Sequence, residues 1–188
     1  MSNDIPLLQL QDAWRECERH IYHLFHAMLS IHTFMPLTDK TYINLTDEQV
    51  QDIDQFILRY TKLQDTMGGR LFPAILSYLT EQFEDRPMLD KLNRLEKLGY
   101  IDNVENWQTV RNIRNKFAHD YPDDPDKNVA HLTVALESVS VLYGILNTIN
   151  KRLKDSYPML KLGKELSGYP KPELKLKAKC SDLLEQER

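Results

Sequence analysis

Apolar residues recur at alternating three- and four-residue steps through Leu7, Leu10, Trp14, Cys17, Ile21, Leu24, Met28 and Ile31. That spacing is one face of a long amphipathic helix. Pro36 and the polar run "LTDKTYINL" close it. Thr46 and Gln49 then form a T-x-x-Q capping pattern that opens a second helix with the stripe Val50, Ile53, Ile57, Tyr60 and Leu63. "MGGRLFP" is expected to weaken or kink this helix, because Gly68 and Gly69 cost helix stability and Pro73 lacks a backbone donor. Helix resumes in "AILSYLTEQF". After "EDRP", the segment "PMLDKLNRLEKLG" reads as a short helix with Pro87 near its first turn and Gly99 at its end.

A further helix is expected from about Val104 to Ala118, with Trp107, Val110, Ile113 and Phe117 facing inward. Pro122 and Pro125 oppose helix, and Asp126 is the expected N-cap of a last long helix carrying Val129, Leu132, Leu136, Val139, Tyr143 and Leu146. No alternating strand pattern appears in the body. The pattern predicts an all-α, up-and-down helical bundle of four main helices plus a short one over residues 1–154. From Asp155 the stripe dissolves into "SGYPKPELKLKAK", a peripheral tail over 155–188 ending in a weak helix.

Composition narrows the function. With 188 residues, 41% apolar and 28% charged, the chain is long enough for one real core and reads as a soluble domain. A net charge of −4 argues against a general nucleic-acid coat but leaves room for a small local RNA site; no DNA partner is expected. Cys17 and Cys180 lack partners at metal-ligand spacing, so a buried thiol and a tail thiol in a reducing cytoplasm are expected. No signal peptide is read at the N-terminus, and no membrane partner is expected, since nothing approaches the ~20 apolar residues of a span.

His20, His23 and His26 step by three along the first helix, but a metal there needs further ligands, and Glu-x-x-His pairs are missing. They read as helix-edge residues, with no metal or other cofactor expected. "MGGR" lacks the Lys-Ser/Thr of a phosphate loop, and no Ser or Cys sits in a nucleophile elbow.

What remains is "RNIRNKFAHDYPDD", Arg111 to Asp124. Arg114 and His119 lie five residues apart, about 140° on a continuous helix, so they meet only if the helix unwinds before the prolines. Asn115 and His119, at i and i+4, share a face. RNA cleavage through the 2′-hydroxyl needs a base, an acid and a cation for the phosphate, roles that His and Arg suit without a metal. Arg and His also favour a helix C-terminus electrostatically, with Tyr121 as a turn anchor. On spacing alone both readings stand. Arg111 and Asp120, Asp123, Asp124 and Asp126 read as charged surface.

Arg114, four residues, His119, one residue, Tyr121, with Asn115 directly after the Arg, resembles the motif of HepT-like proteins in the HEPN superfamily. "LEKLGYIDNVENWQTVRNIRNKFAHDYPDD" is similar to the motif helix and its approach, and "RYTKLQDTMGGRLFP" to the second helix of small bacterial members. The resemblance covers about residues 7–153. It implies a homodimeric helical bundle and a metal-independent endoribonuclease toxin, paired with a minimal nucleotidyltransferase antitoxin. Arg114 and His119 would be catalytic, Asn115 their orienting neighbour, and Tyr121 the acceptor of AMP that silences the toxin. A two-fold axis near this helix would bring two sets into one composite cleft. A non-catalytic helical partner or substrate-binding subunit of a nucleotidyltransferase is the alternative, and a structural helical domain the third.

Overall fold

The computed structural model describes residues 4–81, 85–117 and 124–162. The fold is all-α, and the described residues contain no strand. Its elements are α1 (Asp4–His32), the single turn α2 (Asp39–Tyr42), α3 (Asp47–Thr66), a π-helical turn (Met67–Leu71), α4 (Phe72–Tyr78), α5 (Met88–Lys97), α6 (Val104–Lys116) and α7 (Pro125–Ser156).

The stripe of α1 is the spine of the core: Leu10, Trp14, Cys17, Ile21, Leu24, Met28 and Ile31 are all buried. They pack against α3, the π turn and α4. Burial also pushes the Cys17 thiol well above its ordinary range, which keeps it protonated and inert. In α3 the expected stripe is only partly right. Ile53, Tyr60 and Leu63 are buried, whereas Val50 is exposed, and Phe56 is a core residue instead. Val50 sits in the first turn after the cap, before α3 reaches the body of the bundle. The Thr46–Gln49 capping box is present in both directions.

"MGGRLFP" does not break the helix. The backbone passes from α3 into α4 through the π turn, where Phe72 N–H reaches back to the Met67 carbonyl. A proline inside an α-helix removes a hydrogen bond and crowds the carbonyl four residues before it. The wider turn directly before Pro73 accommodates that misfit without ending the helix. It also places Gly68 against α6: a Cβ on Gly68 would stand 3.0 Å from Cζ2 of Trp107, whereas one on Gly69 would meet nothing within 4 Å.

Chain reversals follow from specific residues. Leu98 caps α5, Gly99 has φ +76°, and the amides of Gly99 and Tyr100 bond to the carbonyls of Glu96 and Leu95 in a Schellman motif. The end of α4 uses the same motif with Thr80 at φ 58°, a conformation that disfavours a β-branched side chain. Glu81 follows and forms a two-point ion pair with Arg94 of α5 (3.1 and 2.6 Å), which holds its carboxyl below the usual range.

The last helix starts two residues earlier than its sequence suggests. Asp124, not Asp126, is the N-cap: its carboxylate accepts from Lys127 N–H at 3.1 Å, and Pro125 occupies the first turn, where no amide is needed. The α7 line of Leu132, Leu136, Val139, Leu146 and Leu153 is buried. By length and composition α7 is the described helix that could cross a membrane, contrary to expectation, but much of its apolar surface is spent on this core. Residues after Ser156 are not simply peripheral. Leu162 is buried, and Gln11 Nε2 donates to the Lys161 carbonyl at 3.0 Å, so the tail begins by folding back on α1. Its expected helix and Cys180 lie outside the described residues.

Tyr60 joins three helices. Its hydroxyl lies 2.7 Å from Ser138 Oγ of α7 and 3.4 Å from the Val110 carbonyl of α6. Ser138 Oγ also faces the Ala135 carbonyl at 2.9 Å, so each hydroxyl has a carbonyl acceptor and either can donate in the shorter contact. Burial pushes this phenol up to about 12. Its ring also meets Phe117 edge-on at 5.8 Å, which fixes the C-terminal end of α6.

Two of the helix-edge histidines share a neighbour, and His23 meets the Tyr22 ring edge-on with centroids 5.2 Å apart. His26 packs edge-on to Tyr22, with centroids 4.5 Å apart. His20 is buried at the α1–α3 seam, with Nε2 3.7 Å from Glu16 Oε1 and Nδ1 3.5 Å from Arg59 Nη1. Desolvation holds His20 below the ordinary value of 6.5, opposed by Glu16 and reinforced by Arg59.

Two outcomes follow. Gly69→Ala should be neutral or stabilise by up to about 1 kcal/mol through helix propensity, whereas Gly68→Ala should destabilise by about 1–2 kcal/mol through crowding of Trp107; urea titration of both variants measures the difference. The fold accepts neutral His20, so this contribution is complete above pH 6.5 and is lost as pH falls through that value toward the lower folded-state one. The urea midpoint should fall between about pH 7.5 and about pH 5, and His20→Gln should flatten part of that fall.

Candidate functional site

Trp107, Arg111 and Arg114 lie at i, i+4 and i+7 on α6, within an arc of about 60°. Opposite them, Gln64, Asp65, Gly68 and Gly69 come from the end of α3 and the π turn. These two faces, with Asn115 and Met88, enclose an open cleft of about 350 Å³. The glycines keep its wall low, and the Gly68–Trp107 contact sets how closely the two helices approach.

Arg114 occupies the last turn of α6, with its side chain one-third exposed. One terminal nitrogen, Nη2, donates to both carboxylate oxygens of Asp65, at 3.0 and 3.2 Å. The other, Nη1, donates to Asn115 Oδ1 at 3.3 Å. The guanidinium is thus held between two helices while part of it faces the cleft. Arg111 lies one turn earlier, exposed, and has no partner among the described residues. It is part of the cleft wall, so its assignment to plain charged surface was incomplete. Asp124 likewise has a specific task as the α7 cap.

Three buried side-chain nitrogens on the cleft lining have no hydrogen-bond partner among the described residues: Gln64 Nε2, Trp107 Nε1 and Arg114 Nε. Buried donors are paired in the great majority of cases; away from the cleft, Trp14 Nε1, His20 Nε2 and Arg59 Nε also have no partner among the described residues.

Of the residues singled out in the sequence, Arg114 and Asn115 therefore stand together in this cleft. His119 and Tyr121 lie outside the described residues, in the segment between Phe117 and Asp124. Asp65, Gln64 and Trp107 were missed as site residues. From the sequence Trp107 reads only as an inward-facing core residue. A signal existed for Asp65, which stands three and four residues before the paired glycines and shares their helix face, but its partner is 49 residues away. Among the described residues, no group of three or more His, Cys, Asp or Glu converges as metal ligands would.

Comparison with protein-family models, with curated proteins and with solved structures gives no match. The geometry has to be interpreted on its own chemistry. A cleft with two guanidiniums and unpaired donors suits an anion rich in acceptors.

Asp65 neutralises part of that charge through a half-exposed ion pair, the kind that contributes about 0–1 kcal/mol to stability. Asp65→Asn should therefore shift the unfolding free energy by no more than about 1 kcal/mol and raise the affinity of the cleft for inorganic phosphate several-fold. Chemical denaturation and calorimetric titration give the two readouts.

Proposed function

We propose that this chain is a metal-independent endoribonuclease, acting as the toxin of a bacterial toxin–antitoxin pair in the cytoplasm. The observation that carries the reading is the position of Arg114: clamped by Asp65 and Asn115, it borders a concave cleft beside a second, unpartnered Arg. That is the residue with which the Arg114–Asn115–His119–Tyr121 pattern begins. A cation held in place before substrate arrives needs little reorganisation to stabilise charge developing on a phosphate.

In the proposed reaction a 2′-hydroxyl of the RNA attacks the adjacent phosphorus as His119 takes its proton. The O2′–P bond forms and the P–O5′ bond breaks. The departing 5′-oxygen receives a proton, leaving a 2′,3′-cyclic phosphate and a 5′-hydroxyl. Arg114 neutralises the non-bridging oxygens, and Asn115 orients it. In a homodimer, a second His119 would let one imidazole act as base and the other as acid. Transfer of AMP from ATP to the Tyr121 hydroxyl by a nucleotidyltransferase antitoxin, with release of pyrophosphate, would add charge and bulk to the motif and block RNA.

One observation favours a second reading. Asp65 already compensates Arg114, which suits a non-catalytic partner or substrate-binding subunit of a nucleotidyltransferase. Expression of the wild type beside Arg114→Ala and His119→Ala separates the two. On the ribonuclease reading, the wild type arrests growth with loss of intact RNA, and each substitution lowers cleavage by about 10²-fold or more. Equal RNA loss in all three, or none in any, would overturn it.

A further inference from the structure

The two arginines of the cleft are held very differently. The Arg114 guanidinium is committed: Nη2 donates to both Asp65 oxygens, Nη1 donates to Asn115 Oδ1, and Nε is buried. Its place is fixed before any ligand arrives, and Asp65 offsets its charge. Arg111 is exposed, lines the same cleft and has no partner among the described residues.

The sequence around Arg111 accounts for its freedom. An arginine on a helix surface can pair with a carboxylate three or four residues away, as Arg15 does with Asp12. The corresponding neighbours of Arg111 are Trp107, Gln108, Arg114 and Asn115, and none is acidic. Asp65, the carboxylate of the cleft lining, is taken by Arg114. Once that pair cancels, the positive charge left on the lining is that of Arg111. Its side chain leaves α6 about 5–6 Å from that of Arg114 and about 4.5 Å nearer the N-terminus of the helix. The cleft, at about 350 Å³, has room for more than one phosphate.

We infer that Arg111 anchors the RNA backbone phosphate adjoining the scissile one, so that the cleft takes a strand with two phosphates in succession. This rests on the ribonuclease reading above, which puts the scissile phosphate on Arg114. The two arginines then divide the work. A clamped cation needs little reorganisation and stabilises charge that develops in the transition state. A free arginine gives up rotamer freedom when it closes on a phosphate, and it makes the same contact before and during the reaction. Arg111 is therefore a substrate-binding residue. Its loss raises KM with kcat within about twofold, whereas loss of Arg114 lowers kcat.

The test is titration of the full chain with 2′-fluoro oligoribonucleotides, which lack the attacking hydroxyl and stay intact. A dinucleotide with one phosphate is compared with a trinucleotide with two, at several salt concentrations. Arg111→Gln should weaken the trinucleotide about fivefold and flatten its slope of log affinity on log salt by about 0.7, the share of one contact to a single strand. The dinucleotide should change by less than about twofold. Arg111→Lys keeps the charge and should restore most of the slope. Arg114→Gln should weaken both ligands. Position 111 is exposed and Gln matches Arg in helix propensity, so these variants keep the fold.

An equal loss for both ligands in Arg111→Gln would put Arg111 on the first phosphate and overturn the anchor. An unchanged trinucleotide affinity and slope would overturn it as well. Both readouts are independent of cleavage. A wild type that shows the Arg111 effect but cuts no ordinary RNA would reject the ribonuclease reading alone. Cleavage with KM unchanged in Arg111→Gln would reject the anchor alone.

Discussion

The close approach of Gly68 to the indole of Trp107 governs how α3 and α6 sit against one another. With any larger residue at 68, Cβ would stand 3.0 Å from Cζ2, and the indole would have to give by a few tenths of an ångström. The spacing of the two helices is what puts the Asp65 carboxylate within 3.0 Å of Arg114 and leaves a cleft between the two faces. The π turn is part of the same device. It absorbs Pro73 without ending the helix and turns Gly68 toward α6. Tyr60 reinforces the arrangement from below, through Ser138 of α7, the Val110 carbonyl and the Phe117 ring.

Stability and binding make opposite demands on this region. Elsewhere the core is largely apolar; Tyr60 and Ser138 are hydrogen-bonded to one another, while Trp14 Nε1, His20 Nε2 and Arg59 Nε have no partner among the described residues. At the cleft, Gln64, Trp107 and Arg114 each have a nitrogen without a partner among the described residues. The chain carries a net charge of −4, so the positive character of the cleft is local, and Asp65 moderates it further. Binding of an anion here would be sensitive to salt, because the two arginines stand at an open mouth.

Much of the fold was legible from local signals. The α1 stripe from Leu10 onward, the Thr46–Gln49 box and the Gly99 turn depend on neighbours three or four residues away, and each appears as read, while Leu7 is only half-buried. Errors arose where a local rule had two solutions. Asp124 and Asp126 are both good caps, and Pro125 decides in favour of the first by fitting the opening turn. Val50 and Phe56 both continue an apolar periodicity, and only the path of α1 determines that Phe56 is covered. The candidate site was half legible. Arg114 and Asn115 announced themselves by spacing, Asp65 only by its place on the helix face of the paired glycines, and Gln64 and the second role of Trp107 by nothing local.

By itself, then, the sequence determined an all-α chain, the order and approximate bounds of its longer helices, and an Arg at the end of α6, a residue type suited to phosphate. These are consequences of periodicity, capping and turn propensity, which act over one or two helical turns. Only the tertiary structure decided that "MGGR" is a continuous π turn, that Arg111 belongs to a cleft, and that Asp65 grips Arg114. Each of these depends on how closely two helices pack, and that distance is set by contacts such as Gly68 with Trp107, which the linear order does not encode locally.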